Sequence, residues 1–208
     1  MKVLIADDHP IIRRGVKQIL SEDLNNVVFG EAQSAKDVFQ NLDKDKWNLL
    51  ILDINLPDMN GLEVLRQVKI LKPKLPVLIL TVMDEDQIAI RVLRSGASGF
   101  MTKNTIPEEL ISAVNKISSG GRYVSESLAE KLVFDALDDD EKLAHHKLSD
   151  REFQVLCLIA SGKTIKEISK ELYLSDQTIR TYRVRLFEKM RMSSDAELIH
   201  YSVQNKLV

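Results

Sequence analysis

The chain has 208 residues, 44% hydrophobic and 29% charged, an ordinary globular composition with room for one large domain or two small ones. A net charge of -2 argues against a protein that coats nucleic acid along its whole surface, and a single cysteine, Cys157, excludes internal disulfides and a cysteine metal site. The opening ten residues reach two aspartates after a handful of apolar positions, so they read as neither a secretion signal nor a membrane span and place the chain in the cytoplasm.

Residues 1–118 alternate short β-branched runs with longer helical patterns, the signature of repeated βα units feeding a parallel sheet. Strands are expected at 3–6, 27–31, 49–53, 77–81 and 99–101, each followed by a helix. Leu49 to Leu52 and Val77 to Leu80 are apolar without alternation, as central strands covered on both faces must be. The expected fold is a doubly wound α/β domain with five parallel strands.

The strand ends carry the chemistry. Asp7 and Asp8 follow the first strand, Asp53 ends the third, Thr81 ends the fourth and Lys103 follows the fifth. In an open α/β sheet the carboxyl ends of the strands form the ligand crevice, so these five residues should converge. Three carboxylates brought together repel one another unless a cation or a proton intervenes, and oxygen donors without His or Cys suit Mg²⁺. The pattern fits phosphoryl transfer, with Asp53 as nucleophile, Lys103 and Mg²⁺ neutralising phosphoryl oxygens and the Thr81 hydroxyl bonding them.

Asp7-Asp8-His9-Pro10, Leu52-Asp53-Ile54-Asn55-Leu56-Pro57, Asn60-Gly61-Leu62-Glu63 and the run from Gly96 to Lys103 resemble the receiver domains of response regulators, a flavodoxin-like fold. The resemblance implies that Asp53 accepts a phosphoryl group from a sensor histidine kinase. It also implies that Asp8, Asp53 and the Asn55 carbonyl bind Mg²⁺ while Asp7 acts through water, and that Thr81 and Phe100 form a switch. Asn104 departs from the proline that many receivers place there.

From Ser118 the pattern decays through two glycines to the acidic run 138–141, read as a linker over 119–147. Residues 148–208 carry only helical signals. Capping boxes are expected at Ser149 with Glu152, Thr164 with Glu167 and Ser194 with Glu197, and Ser175 opens a further helix. This part is the basic one, with 10 Lys and Arg against 8 Asp and Glu, and residues 180–191 hold five cations against Glu188 alone. A basic helix is the electrostatic footprint of a phosphate-binding surface. Ile179, Leu186 and Met190 fall at helical spacing for packing inward, leaving Arg180, Thr181, Arg183 and Val184 nearer the outside.

Leu148-Ser149, Arg151-Glu152, Val155-Leu156, Lys166-Glu167-Ile168 and Leu174-Ser175 with Thr178-Ile179-Arg180 resemble the LuxR-type helix-turn-helix domain. Joined to a receiver, it is similar to the NarL/FixJ class of response regulators. Ile165 and Tyr182 depart from the usual pattern. The resemblance implies double-stranded DNA contacts from Lys166, Thr178, Arg180, Thr181, Arg183 and Val184, a homodimer on phosphorylation and RNA polymerase as a downstream partner. Leu198, Ile199 and Val203 are candidates for the dimer contact, and the acidic run 138–141 for masking the basic helix. Two other readings compete: an aspartyl-phosphate phosphohydrolase, which needs an acid where Asn55 stands, and a non-phosphorylated scaffold.

Overall fold

A computed structural model describes residues 1–82, 86–104, 107–125, 128–129, 144–205 and 207–208. The chain divides into two compact units, a β/α unit of Met1–Asp84 and Ala89–Ala129 and a largely helical unit of Glu130–Val208 to which Glu85–Ile88 is also assigned.

In the β/α unit, β1 (Lys2–Ala6), β2 (Val28–Ala32), β3 (Leu49–Leu52), β4 (Val77–Thr81) and β5 (Gly99–Thr102) alternate with α1 (Pro10–Asp23), α2 (Ala35–Lys44), α3 (Gly61–Leu71), α4 (Asp86–Arg94) and α5 (Pro107–Ser118). All strand pairs are parallel, in the order β2-β1-β3-β4-β5. The expected doubly wound sheet is therefore present. Val3, Ile5, Leu49, Ile51, Leu78 and Leu80 send one face of the sheet into a core closed by α1 and α5, through Val16, Leu20, Leu110, Ala113, Val114 and Ile117.

Local chemistry sets the helix starts. Pro10 opens α1, where its missing N–H costs nothing. Ser34 accepts from the Asp37 N–H to cap α2, and Asn60 accepts from the Leu62 N–H to cap α3. β1, β3 and β5 differ from expectation by one residue at one end, and β2 is shifted whole, starting at Val28 rather than 27, because Val28 pairs with Lys2 and register with β1 carries the strand on to Ala32. It is an edge strand whose Val28 is 55% exposed, so apolar spacing marks its ends poorly. Past α5, Tyr123 bridges to Gly99, donating its N–H to the Ser98 carbonyl and accepting from the Phe100 N–H. The acidic run 138–141 lies outside the described residues.

The helical unit begins with a 3-10 turn at Ala144–Lys147, followed by α6 (Asp150–Ala160), α7 (Ile165–Glu171), α8 (Asp176–Met190) and α9 (Asp195–Gln204). Both halves of the capping box form at Ser149/Glu152 and at Thr164/Glu167. The box expected at Ser194 is half formed. Ser194 Oγ accepts from the Glu197 N–H, but the Glu197 carboxylate takes the N–H of Ser193, one residue earlier. Phe153, Leu156, Cys157, Ile168, Leu172, Ile179, Leu186, Met190 and Leu198 make the core, so Cys157 is the buried thiol its setting implies.

Candidate phosphoacceptor site and nucleic-acid interface

Parallel pairing brings the expected residues together at the carboxyl end of the sheet. Asp53 leaves β3 with its N–H on the Ala6 carbonyl, Asp7 leaves β1 with its N–H on Ala32, and Lys103 leaves β5 with its N–H on Thr81. The Lys103 ammonium then reaches Asp53 Oδ2 at 2.6 Å and Asp7 Oδ2 at 2.7 Å, with all three side chains at 5% exposure or less. Thr81, Asn55 and Phe100 are buried as well. Asp8 is more open, and one ligand atom each from Asp7, Asp8, His9 and Asp53 lie within 4.8 Å of one another.

Burial pushes the Asp53 carboxyl above its usual value, and repulsion from Asp7 adds to it, while Lys103 pulls the other way. For Lys103, burial alone would weaken the ammonium, but attraction to Asp53 and Asp7 wins and raises it. The second Asp53 oxygen, Oδ1, is buried with no hydrogen-bond partner among the described residues. A buried charge in that position asks for a cation or an electrophile.

His9 belongs to this cluster, although sequence reasoning gave it no role. Its Nδ1 lies 2.7 Å from Asp8 and 3.2 Å from Asp7, and its N–H caps Asp7 Oδ1 at 2.8 Å. The available signal was its place directly after the acid pair. Gly61 also serves the site: a Cβ there would lie 2.5 Å from the Asp53 carbonyl oxygen and from Ile54 Cα, so only glycine lets α3 start so close to the phosphoacceptor strand. Asn55, bridged to Asn60, tightens the same turn.

In the helical unit, α7 and α8 meet through a tight turn at Tyr173, whose φ of 53° is left-handed. Leu174 N–H closes the turn on the Ser169 carbonyl, and Arg151 donates to the Leu172 carbonyl from below. Ile179, Leu186 and Met190 pack inward as expected. Gln177, Arg180, Thr181, Val184 and Arg185 are exposed and recur at helical spacing, forming one outward face. Gln177 and Arg185 extend the expected set, and Lys166 on α7 is exposed too. Thr178 is half-buried, its hydroxyl against that of Ser175 at 2.8 Å. Arg183 differs from its neighbours: its Nε donates to Asp195 at 2.6 Å and its guanidinium lies over Phe187, so it is half-buried. Of the apolar candidates on α9, Leu198 belongs to the core, whereas Ile199 and Val203 are exposed.

Comparison with known proteins bears on both units. The family model of the response regulator receiver domain matches residues 3–115, and that of bacterial regulatory proteins of the luxR family matches residues 146–202. Over 209 residues the chain is 31% identical to the response regulator UvrY of Escherichia coli strain K12, spanning all of this chain and 95% of that one. RcsB from Salmonella enterica serovar Typhimurium, solved bound to a promoter in the presence of a phosphomimetic, is 30% identical with a TM-score of 0.61, covering 97% of each chain. A structure of two RcsB dimers bound to two parallel DNAs is similar to the same degree, at 30% identity, TM-score 0.60 and 97% of each chain.

Proposed function

This chain belongs to the response regulators that join a receiver domain to a luxR-type domain, and from that membership we propose that phosphorylation of Asp53 by a sensor histidine kinase controls its binding to double-stranded DNA and so transcription. The observation that carries the proposal is the buried Asp53–Lys103–Asp7 constellation with one Asp53 oxygen left unbonded. In this reading residues 1–118 form the receiver, 119–147 the linker and 148–208 the DNA-binding domain.

An Asp53 carboxylate oxygen attacks the phosphorus of a phosphohistidine; the new O–P bond forms as the P–N bond breaks and the electron pair returns to the leaving imidazole. Lys103 sits where its ammonium can follow charge from the Asp53 carboxylate onto the phosphoryl oxygens, and Thr81 ends the neighbouring strand with a hydroxyl donor. Asp7, Asp8 and Asp53 suit a hard divalent ion, since their oxygens cluster and one Asp53 oxygen lacks a donor; in this reading Asp8, Asp53 and the Asn55 carbonyl would hold it directly and Asp7 through water. Mg²⁺ in that place supplies charge neutralisation for the incoming phosphoryl group. Thr81 and Phe100 are the proposed switch that reports the new charge.

For DNA, α8 offers Arg180, Thr181, Val184 and Arg185 to the major groove, while Lys166, Thr178 and Arg183 serve the flanking phosphates. A phosphorylated homodimer would set two such helices on half-sites about 10 base pairs apart, one helical turn, with Ile199 and Val203 as its exposed apolar contact. RNA polymerase is the proposed downstream partner, and the cytoplasm the proposed location; no helix among the described residues is long and apolar enough to cross a membrane. Incubation with a small phosphodonor and Mg²⁺ should add the mass of one phosphoryl group, labile to hydroxylamine, and Asp53→Asn should abolish it. Undiminished labelling of that variant would refute the assignment.

A further inference from the structure

At the opposite end of the sheet, by the amino ends of β4 and β5, lies a cavity of about 560 Å³ that has no part in the phosphoacceptor chemistry. Its walls come from the last turns of α3 and α4 and from the chain that follows α5. Four cations line it, Lys69, Lys74, Arg94 and Arg122, and no carboxylate does among the described residues. We propose that this cavity is a second, anion-selective binding site for a small molecule carrying two or more phosphoryl groups.

Cations gather at helix C-termini because the exposed carbonyls there are negative, and that accounts for part of the cluster. Lys69, in the last turn of α3, also donates to the Leu75 carbonyl in the connection to β4 at 2.7 Å. The helix ends do not account for the rest. Lys69, Lys74 and Arg122 have no ion-pair partner among the described residues. The Lys69 ammonium is held below its ordinary value, first by burial and then by the charge of Arg122, so two cations that line the same cavity repel each other. A ligand that brings negative charge there relieves the repulsion instead of competing with an existing pair.

The walls also supply donors. Ser98 Oγ accepts from the Val77 N–H at 3.3 Å, which leaves its own proton to donate into the cavity, and Ser95 lies beside it. Gly96 and Gly120 adopt φ of +97° and +89°, a conformation side chains disfavour, so the turns that frame the cavity are glycine-dependent. The volume falls within the range of about 300–1,000 Å³ typical of small-ligand sites. A cavity of about 560 Å³ is larger than one phosphate fills, and a diphosphate brings more charge and more acceptor oxygens to the cations that line it. A nucleic-acid strand fits less well, because no aromatic side chain among the described residues lines the cavity for bases to stack on.

The test is a titration of the full chain with inorganic pyrophosphate in Mg²⁺-free buffer, followed through the backbone amide resonances. Saturable shifts at Gly96, Gly120 and Gly121 are expected, weakened about tenfold or more by Arg122→Gln, which alters an exposed side chain, and likewise by Lys69→Gln. Lys46→Gln, a lysine outside the cavity, should leave the affinity unchanged. Shifts confined to the basic face of α8, no saturation, or an equal loss from Lys46→Gln would overturn the site. Binding of inorganic phosphate as tightly as pyrophosphate would overturn the ligand class.

Discussion

The crevice around Asp53 and the outer face of α8 both concentrate charge, yet they use it in opposite ways. In the crevice Asp7, Asp53 and Lys103 are almost wholly buried and each depends on the others. On α8, Arg180 and Arg185 stand in solvent, where charge costs little to hold and remains available to a partner. The lesson is that removing a charge from the first region should damage the fold and its chemistry together, while removing one from the second should damage binding alone.

The sharpest way to break that contrast is Lys103→Met. It leaves two buried carboxylates facing each other without a counter-charge, and at pH 7 the β/α unit should lose about 3–5 kcal/mol of stability in urea unfolding. Mg²⁺ should restore part of the loss, since it neutralises the same oxygens. Unchanged stability would mean that the crevice charges are not coupled. Gly61→Ala tests the backbone side of the same region: its new Cβ would collide with Asp53 O and Ile54 Cα, and about 1–3 kcal/mol should be lost together with a slower phosphorylation rate.

On α8 the effects should fall on DNA. Arg180→Ala should cost about 1–3 kcal/mol on a specific duplex and relax the preference at one position, while Lys166→Ala on α7 should weaken all duplexes alike and lower the salt slope by about one. Thermal unfolding of both variants should match the parent within about 0.5 kcal/mol. Arg183→Ala is the intermediate case, because its bond to Asp195 ties a phosphate-side residue to the start of α9.

The smallest expected effect is an acid-linked one in the helical unit. Glu152 is buried, which raises its pKa, but bonds from Lys189 and from the Ser149 N–H outweigh burial and hold it below its usual 4.5. A carboxyl lowered by folding stabilises above its unfolded pKa and loses that contribution as pH falls through its folded one. Stability should therefore fall as pH drops below about 4.5, the group's ordinary value. Glu152→Gln should flatten that dependence; an equally steep profile in the variant would assign it elsewhere.

How much of this was legible beforehand differs between the regions for a physical reason. The central strands announce themselves because burial on both faces demands unbroken apolar runs, and the acids at their ends follow from parallel topology. Ser149, Thr164 and Ser175 mark helix starts because capping is a bond between near neighbours. The rest depends on distant contacts. That Glu197 caps Ser193, that Arg183 pairs with Asp195, and that Leu198 is core while Ile199 and Val203 are not, all turn on how helices pack. His9 in the acid cluster and the four cations around the second cavity have no periodic signature; they meet only once the sheet is assembled.

The central claim is that phosphorylation at Asp53 governs DNA binding by α8. It is tested most directly by measuring affinity for a duplex with two half-sites about 10 base pairs apart, with and without phosphodonor and Mg²⁺, for the parent chain and for Asp53→Asn. Tighter binding on phosphodonor treatment, accompanied by dimerisation in sedimentation and absent from Asp53→Asn, is the predicted result. An equal gain in the variant, or a phosphorylated parent that binds no tighter at any spacing, would contradict it.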